Sequence, residues 1–161
     1  TTVVHEVGDE IPIQESAAPI RDRIGNIIGS VMVFHDVSRE SRLFRQISYQ
    51  ASHDPVTDLI NRREFELRLA DAITDAANSF RQHILCYLDL DEFKVVNDTC
   101  GHGAGDELLR QLTSVLSAVI PKGNTLARLG GDEFGILFMN CGSEEANDHA
   151  QTMIDAVRQY R

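Results

Sequence analysis

The chain has 161 residues, of which 42% are hydrophobic, and its 25 acidic residues outweigh 15 basic ones to give a formal net charge of −10. This length suits one ordinary domain plus a short extension, and the hydrophobic fraction is that of a globular protein. The negative charge argues against binding to nucleic acid or to an anionic membrane surface, since both are also negative.

The cysteines are odd in number and show no C-x-x-C spacing: Cys86, Cys100 and Cys141. They indicate free thiols in a reducing compartment rather than a disulfide framework or a zinc site. No apolar run approaches the length of a transmembrane helix and no signal peptide is present, so we expect a cytoplasmic protein. Because the chain begins with Thr1, we expect a piece of a longer protein, whose membrane anchoring stays open.

The first part of the chain predicts β structure over residues 1 to about 36, with a turn at 21–26 and a strand from Ile27 to His35. A helix should follow from Ser38, its N-cap, to about residue 53. Its apolar stripe allows two interpretations, packing on its own domain or pairing with a second copy, and the period does not decide between them. The stripe consists of Leu43, Phe44, Ile47 and Ala51.

Asp54-Pro55 should stop this helix, and Asn61 should cap the next one, with Glu64 reaching back as in a capping box. The predicted apolar face of that helix is Phe65, Leu69, Ala72, Ile73 and Ala76. The run Ile84–Leu90 is apolar on both faces, which is typical of a central, buried strand.

A glycine-rich segment at 100–106 predicts a loop whose backbone amides can approach a nucleotide closely, although no Walker A lysine follows. An apolar stripe at period 3.6 then predicts a helix over residues 106 to 120, which ends before Pro121. A final helix should start after Ser143.

Between these helices, two apolar runs flank Gly130-Gly131 and predict a β-hairpin with Asp132 and Glu133 at its tip. Neighbouring carboxylates repel unless a cation or solvent lies between them. Asp89 ends the strand that begins at Ile84, and one sheet can bring it against the tip. Hard oxygen ligands with room for phosphate oxygens suit Mg²⁺, so these segments predict a metal–phosphate site, the alternative being a solvated acidic turn.

Three blocks in order resemble one family. Gly130-Gly131-Asp132-Glu133-Phe134 is the signature of the GGDEF diguanylate cyclases, the stretch from Asp89 to Asp106 is similar to their second block, and Asp54 to Phe65 resembles their opening block. The resemblance covers about residues 49 to 161. It implies an α/β (α+β) fold with a ferredoxin-like, palm-type sheet and flanking helices. Since such domains extend some tens of residues further, we expect this copy to be truncated at its C-terminus, with an exposed sheet edge.

The segment before it resembles the last strands of a PAS sensory domain, on Ala18-Pro19-Ile20-Arg21-Asp22, Gly25 to Gly29 and Val33 to Ser38. The predicted organisation is therefore a C-terminal part of a PAS domain at 1–37, a signalling linker helix at 38–53 and the GGDEF domain at 54–161. The strands that would enclose a PAS ligand are missing, so no haem, flavin or other small ligand is assigned to this segment.

The GGDEF resemblance implies condensation of two GTP molecules into cyclic di-GMP and pyrophosphate, with Mg²⁺ or Mn²⁺ as cofactor. It implies metal binding by Asp89, the Leu90 carbonyl, Asp132 and Glu133, with Asp132 as the candidate base and Glu133 also catalytic. Asn97 and Asp106 match the positions that read guanine, since a carboxylate can accept from both N1–H and the N2 amino group. His102, Lys94 and the amides around Phe93 would meet the substrate.

Each such site holds one GTP and the product needs two, so the resemblance implies a homodimer through the GGDEF domains and the linker helix, within a PAS-regulated bacterial signalling protein. Two competing hypotheses remain. The domain could be a catalytically silent GTP-binding regulator of an attached EAL phosphodiesterase domain, or a dimerisation and signalling module with a vestigial site. GTP binding and product formation discriminate among the three.

The sequence departs from the family's pattern at three places. Asp58 stands where the opening block usually has glycine. Pro121 and Asn124 replace the Arg and Asp of the family's inhibitory product site, which predicts no feedback inhibition of that type. The basic residues that the family places late in the domain to hold triphosphate would lie beyond Arg161, so we expect this fragment alone to be weakly active or inactive.

Overall fold

The computed structural model describes residues 2–4 and 10–160. It divides into two compact units, residues 1–51 and 52–161. Parts of two predicted segments, namely residues 1 and 5–9 of the PAS-like stretch and Arg161 of the last domain, lie outside the described residues. Among the residues that the structure describes, no helix has the length and apolar character needed to cross a bilayer.

The first unit contains a three-stranded antiparallel sheet in the order β1-β2-β3, formed by Thr2–Val4, Glu10–Arg21 and Ile27–Asp36. The turn between β2 and β3 is held by the Asp22 carboxylate, whose Oδ1 accepts from the N–H groups of Ile24 and Asn26 at 2.9 Å each. The predicted turn and the strand that follows it are therefore confirmed, and aspartate has the local role that turns favour.

Helix α1, Ser38–Ser52, follows β3. Ser38 is its first helical residue rather than its cap, because the Asp36 carboxylate accepts from the Ser38 N–H at 2.8 Å. The apolar stripe is exposed, at 50% for Leu43, 72% for Phe44 and 63% for Ile47. This exposure argues against the interpretation in which the stripe packs on its own domain.

The second unit is built on a four-stranded sheet in the order β4-β6-β7-β5, in which β7 is antiparallel to β5 and β6 while β4 is parallel to β6. This mixed architecture with flanking helices is the predicted α+β fold. In chain order its elements are β4 Ile60–Asn61, α2 Arg62–Ser79, β5 Ile84–Asp89, α3 Phe93–Cys100, α4 His102–Val119, β6 Thr125–Gly130, β7 Glu133–Phe138 and α5 Ser143–Gln159.

Three local predictions were wrong. Strand β5 lies at the edge of the described sheet rather than in its centre, and its alternate side chains Leu85 and Tyr87 are 42% and 63% exposed. The predicted glycine-rich loop is mostly helix, since α4 begins at His102 and contains Gly103 and Gly105. Ile73, placed on the buried face of α2, is 63% exposed. The open edge at β5, in contrast, agrees with the exposed sheet edge expected from the sequence.

The core covers both faces of this sheet. Alternate residues of β7, with Phe134, Ile136 and Phe138 fully buried, pack against α3, α4 and α5 on one face. Phe65 of α2 and Leu137 of β7 belong to the cluster on the other face. The Asn61 side chain caps α2 by accepting from the Glu64 N–H at 3.0 Å, as predicted, whereas the Glu64 carboxylate accepts from Arg68 at 2.9 Å.

Candidate active site

The hairpin turn between β6 and β7 depends on two glycines with positive φ, +143° at Gly130 and +54° at Gly131. Such angles are readily adopted only by glycine. The Gly131 carbonyl accepts two hydrogen bonds from the Arg128 guanidinium, from Nη2 at 2.8 Å and from Nε at 3.1 Å. An arginine on the first strand of the hairpin therefore fixes the turn that carries the carboxylates.

Arg128 is itself held by Asp54, which lies at the start of the second unit. Arg128 Nη1 and Asp54 Oδ1 are 2.9 Å apart, and the two side chains are only 11% and 18% exposed. The same oxygen accepts from the N–H of Val56 and from the N–H and hydroxyl of Thr57. The opening block is thereby connected to the signature turn.

These contacts also set the ionisation of Asp54. Burial alone would raise its pKa, but the hydrogen bonds from Arg128 and Thr57, together with the Arg128 charge, outweigh that effect and hold the pKa below its usual value of 3.8. Asp54 is therefore a stable carboxylate partner for Arg128 at neutral pH.

Asp89 and Glu133 occupy the same end of the sheet. They are directly opposed in the antiparallel register of β5 and β7, where facing side chains lie close together. Asp132 immediately precedes Glu133 in the turn. Glu133 pairs with Arg62 of α2 at 3.0 Å, and both side chains are about half exposed. The sheet thus brings together the strand end and the hairpin tip, as the sequence predicted.

The donor set fits a hard divalent cation. Two facing carboxylates, a third at the adjacent position and the Leu90 carbonyl next to Asp89 offer the oxygen ligands that Mg²⁺ and Mn²⁺ use. Among the described residues these three carboxylates do not form a closed cluster. Mutual repulsion accounts for this, because without a cation the anions separate and Glu133 turns toward Arg62.

The predicted guanine-reading residues lie on α3 and α4. The Asn97 side chain packs against Gly105 so closely that a Cβ at Gly105 would collide with Asn97 Oδ1 and lie 3.2 Å from Phe93 Cζ. This contact places Asn97 beside the position that precedes Asp106, which is half-buried. His102, the first residue of α4, is exposed.

Two predicted phosphate contacts differ in character. Lys94 is exposed on the first turn of α3, where it is free to reach a ligand. The Phe93 side chain is 8% exposed and belongs to the core, so only its backbone can face a substrate. Glu92, which caps α3, has a positive φ of +61°, a strained value for a residue other than glycine.

A cleft of about 520 Å³ opens beside the carboxylate end of β5. Asp89, Leu90 and Asp91 line its polar end, and apolar residues of α4 and α5 form the rest. The candidate metal ligands Asp89 and Leu90 are therefore accessible from a concave surface.

Asp58, the departure from the family's glycine, adopts a positive φ of +60°. Its N–H donates to the Asp54 carbonyl at 2.9 Å. The turn that the family builds with glycine is therefore retained, because aspartate tolerates the left-handed region better than most residues.

Three comparisons bear on this site. Residues 51–161 match the family model described as "Diguanylate cyclase, GGDEF domain". "Probable diguanylate cyclase DgcE" of Escherichia coli (strain K12) is 42% identical over 153 residues, which cover 95% of this chain and 14% of that relative. "Cyclic di-GMP phosphodiesterase PdeB" of Shewanella oneidensis is 37% identical over 125 residues, which cover 78% of this chain and 14% of that relative.

Among solved structures, the coiled coil and GGDEF domain of DgcB from Caulobacter crescentus in complex with c-di-GMP aligns with a TM-score of 0.69 at 31% identity, covering 73% of this chain and 61% of that chain. The chain spans 14% of the length of each of the two curated relatives. Since the family model matches well over half of the residues and includes every element of the candidate site, the chain belongs to the GGDEF family of diguanylate cyclase domains.

Proposed function

We propose that the second unit is a catalytic diguanylate cyclase domain, which condenses two GTP molecules into cyclic di-GMP and pyrophosphate with Mg²⁺ or Mn²⁺. The observation that carries this proposal is the register of β5 and β7, which sets Asp89 opposite Glu133 at the signature turn. An acidic turn that was merely solvated would not require a second carboxylate from another strand.

In this proposal the divalent ion is held by Asp89, Asp132, Glu133 and the Leu90 carbonyl, and it supplies charge neutralisation for the triphosphate. Asp132 accepts the proton of the attacking 3′-hydroxyl. Asn97 and Asp106 orient guanine, Asp106 by accepting from N1–H and N2 and Asn97 by donating or accepting. Their placement on adjoining helices, with Asn97 against Gly105, supports a shared base-binding surface. Lys94 and His102 contact the substrate.

Two copies must face each other, because each domain binds one GTP and the product contains two. The exposed Leu43, Phe44 and Ile47 on α1 support pairing of this helix with its counterpart in a homodimer. The relative from C. crescentus is described as a coiled coil with a GGDEF domain, which supports the same arrangement. The PAS-like strands before α1 would then control how the two catalytic domains approach.

We also propose that the family's product-inhibition motif is absent. Asn124 donates from Nδ2 to the Pro121 carbonyl at 3.0 Å and accepts from the Met139 N–H at 2.9 Å. Both of its polar atoms thus have structural partners, and neither Asn124 nor Pro121 offers the charge needed to bind a cyclic dinucleotide phosphate.

The test is product analysis on the full-length protein with GTP and Mg²⁺, using mass spectrometry to detect cyclic di-GMP. We expect product that disappears in Asp132→Ala while GTP binding and thermal stability are retained. GTP binding without product in the unmodified protein would favour a regulator of an attached phosphodiesterase domain, a function suggested by the relative named as a phosphodiesterase. Absence of both would favour a dimerisation and signalling module.

A further inference from the structure

A second group of metal-ligating side chains lies at the opposite end of the β6–β7 hairpin from the signature turn. Cys141 follows β7, and Glu145 and His149 lie in the first turns of α5. The spacing of four residues places Glu145 and His149 on one face of this helix, directly after the cysteine. None of the three is needed for the reaction proposed above.

The ligand atoms of these residues are already close together. Cys141 Sγ, a Glu145 carboxylate oxygen and a His149 ring nitrogen all lie within 4.8 Å of one another. The Glu145 Oε1 and His149 Nε2 atoms are 3.7 Å apart. A tetrahedral zinc ion with bonds of about 2.0–2.3 Å separates its ligand atoms by about 3.5 Å, so small side-chain movements would close the site.

The surrounding contacts hold two of these ligands in place. The Cys141 N–H donates to the Gln82 carbonyl at 2.9 Å, and the preceding Asn140 N–H donates to His83 Nδ1 at 3.0 Å. The His149 ring stacks on Phe138, with centroids 5.2 Å apart and an angle of 23°. The thiol and the imidazole are therefore positioned by the core, while the longer Glu145 side chain remains adjustable.

We propose that Cys141, Glu145 and His149 form a binding site for Zn²⁺ or a similar soft divalent transition ion, with water as the fourth ligand. Sulfur and nitrogen donors select such an ion, whereas the Asp89, Asp132 and Glu133 group offers only oxygen and suits Mg²⁺. The three residues line one cleft together with residues 121–124 and 139–140, so an ion can enter from solvent. The site would connect the end of β7 to α5.

The state of the thiol agrees with this chemistry. Cys141 is 4% exposed, and burial, reinforced by the Glu145 charge and hydrogen bond, raises the pKa of its thiol. Without an ion the Cys141 thiol stays protonated and donates to the Gly142 carbonyl at 3.4 Å. Binding forms the metal–sulfur bond and releases the thiol proton to the buffer, so no oxidant or reductant is involved.

The first experiment is a titration of the purified, metal-free protein with Co²⁺, followed by displacement with Zn²⁺. We expect a thiolate-to-cobalt charge-transfer band and intense visible absorption typical of tetrahedral coordination, both of which one equivalent of Zn²⁺ removes. A spectrum without the charge-transfer band overturns the proposal for the native protein, with no variant required.

Variants then assign the ligands. We expect Cys141→Ser, Glu145→Gln and His149→Gln to weaken Zn²⁺ binding at least ~10-fold each in competition with a chromophoric chelator. Cys100→Ser and Glu144→Gln are the matched controls, since both residues are exposed and neither belongs to the group. Equal Zn²⁺ affinity in the ligand and control variants would overturn the assignment. Thermal unfolding of metal-free samples checks that each variant is folded.

Discussion

The two ends of the β6–β7 hairpin are stabilised in different ways. At the signature turn, charged groups from distant parts of the chain hold the backbone, since Arg128 joins the Gly131 carbonyl to Asp54 and Arg62 joins the Leu129 carbonyl to Glu133. At the opposite end, neutral hydrogen bonds from Asn124 and His83 hold the chain at Met139 and Asn140. Charge-assisted contacts are stronger and respond to pH and salt.

This difference connects stability to function. The end that carries the candidate catalytic carboxylates is fixed by arginines, which also offset the negative charge that gathers there. The end with neutral contacts leaves Cys141, Glu145 and His149 without a nearby role in the proposed reaction. The turn end should therefore be the more sensitive to pH and to single substitutions, and each variant below measures one part of that contrast.

The largest effect is expected for Arg128→Ala. This change removes two hydrogen bonds to the Gly131 carbonyl and leaves the Asp54 carboxylate poorly exposed and without its cation. We expect a loss of about 2–4 kcal/mol in the free energy of unfolding, measured by urea denaturation. Arg128→Lys should recover only part of it, because lysine lacks the planar fork that reaches both partners.

The Asp54–Arg128 pair also predicts a pH dependence. The pKa of Asp54 is lower in the folded than in the unfolded protein, so its contribution is present above the unfolded value near 3.8 and is lost as the pH falls through the lower folded value. The stability advantage of the native protein over Asp54→Asn should therefore be largest at pH 7 and shrink below about pH 4. An unchanged difference across this range would show that the ionised pair is not what Asp54 contributes.

The middle of the hairpin depends on packing instead of charge. A Cβ at Gly135 would lie 2.8 Å from Phe65 Cζ and 3.1 Å from Leu129 Cδ1. We expect Gly135→Ala to cost about 1–3 kcal/mol by overpacking, and Phe65→Leu in the same molecule to relieve part of the loss. Gly103→Ala is the control, since nothing lies within 4 Å of its added Cβ and the position is helical. Equal losses in both alanine variants would contradict the packing argument.

The sequence predicted the elements whose signals are local. The hairpin follows from Gly130-Gly131 between two apolar runs, and α4 follows from a stripe that keeps period 3.6 over several turns. The eight-residue helix α3 was not predicted, because it is too short for a clear period and contains Val95 and Val96, which favour strands. The position of β5 was misjudged since apolar faces indicate burial but do not identify neighbouring strands.

The candidate site shows the same division. The carboxylates could be predicted from the ends of strands, and the register confirms that Asp89 faces Glu133. The arginines that hold the turn could not, because Arg62 and Glu133 are 71 positions apart and Asp54 and Arg128 are 74 apart. No local pattern links residues at that distance. The only available signal was that adjacent carboxylates require cations, which does not say which arginines supply them.

At the open end of the hairpin, Asn124→Ala should have an intermediate effect. It removes the acceptor of the half-buried Met139 N–H and the donor to the Pro121 carbonyl, so we expect a loss of about 1–2 kcal/mol in unfolding free energy. Asn124→Asp keeps the acceptor and should recover most of it at neutral pH. Unlike the Arg128 variant, Asn124→Ala should lose the same amount at high and low salt, which tests the neutral character of this end.

Arg62→Ala should change stability least, by less than about 1 kcal/mol, because the Arg62–Glu133 pair is about half exposed on both sides. Its effect should appear in metal binding instead, if the proposed site is correct. Arg62 competes with a cation for the Glu133 carboxylate, so its removal should raise the apparent affinity for Mn²⁺ by roughly 2–5-fold, a modest electrostatic change. Arg63→Ala, its exposed neighbour on α2, is the matched control. If both variants shift Mn²⁺ affinity equally, the effect is one of net charge and Glu133 is not the ligand that Arg62 restrains; if only Arg62→Ala shifts it, Glu133 alternates between an arginine partner and a metal.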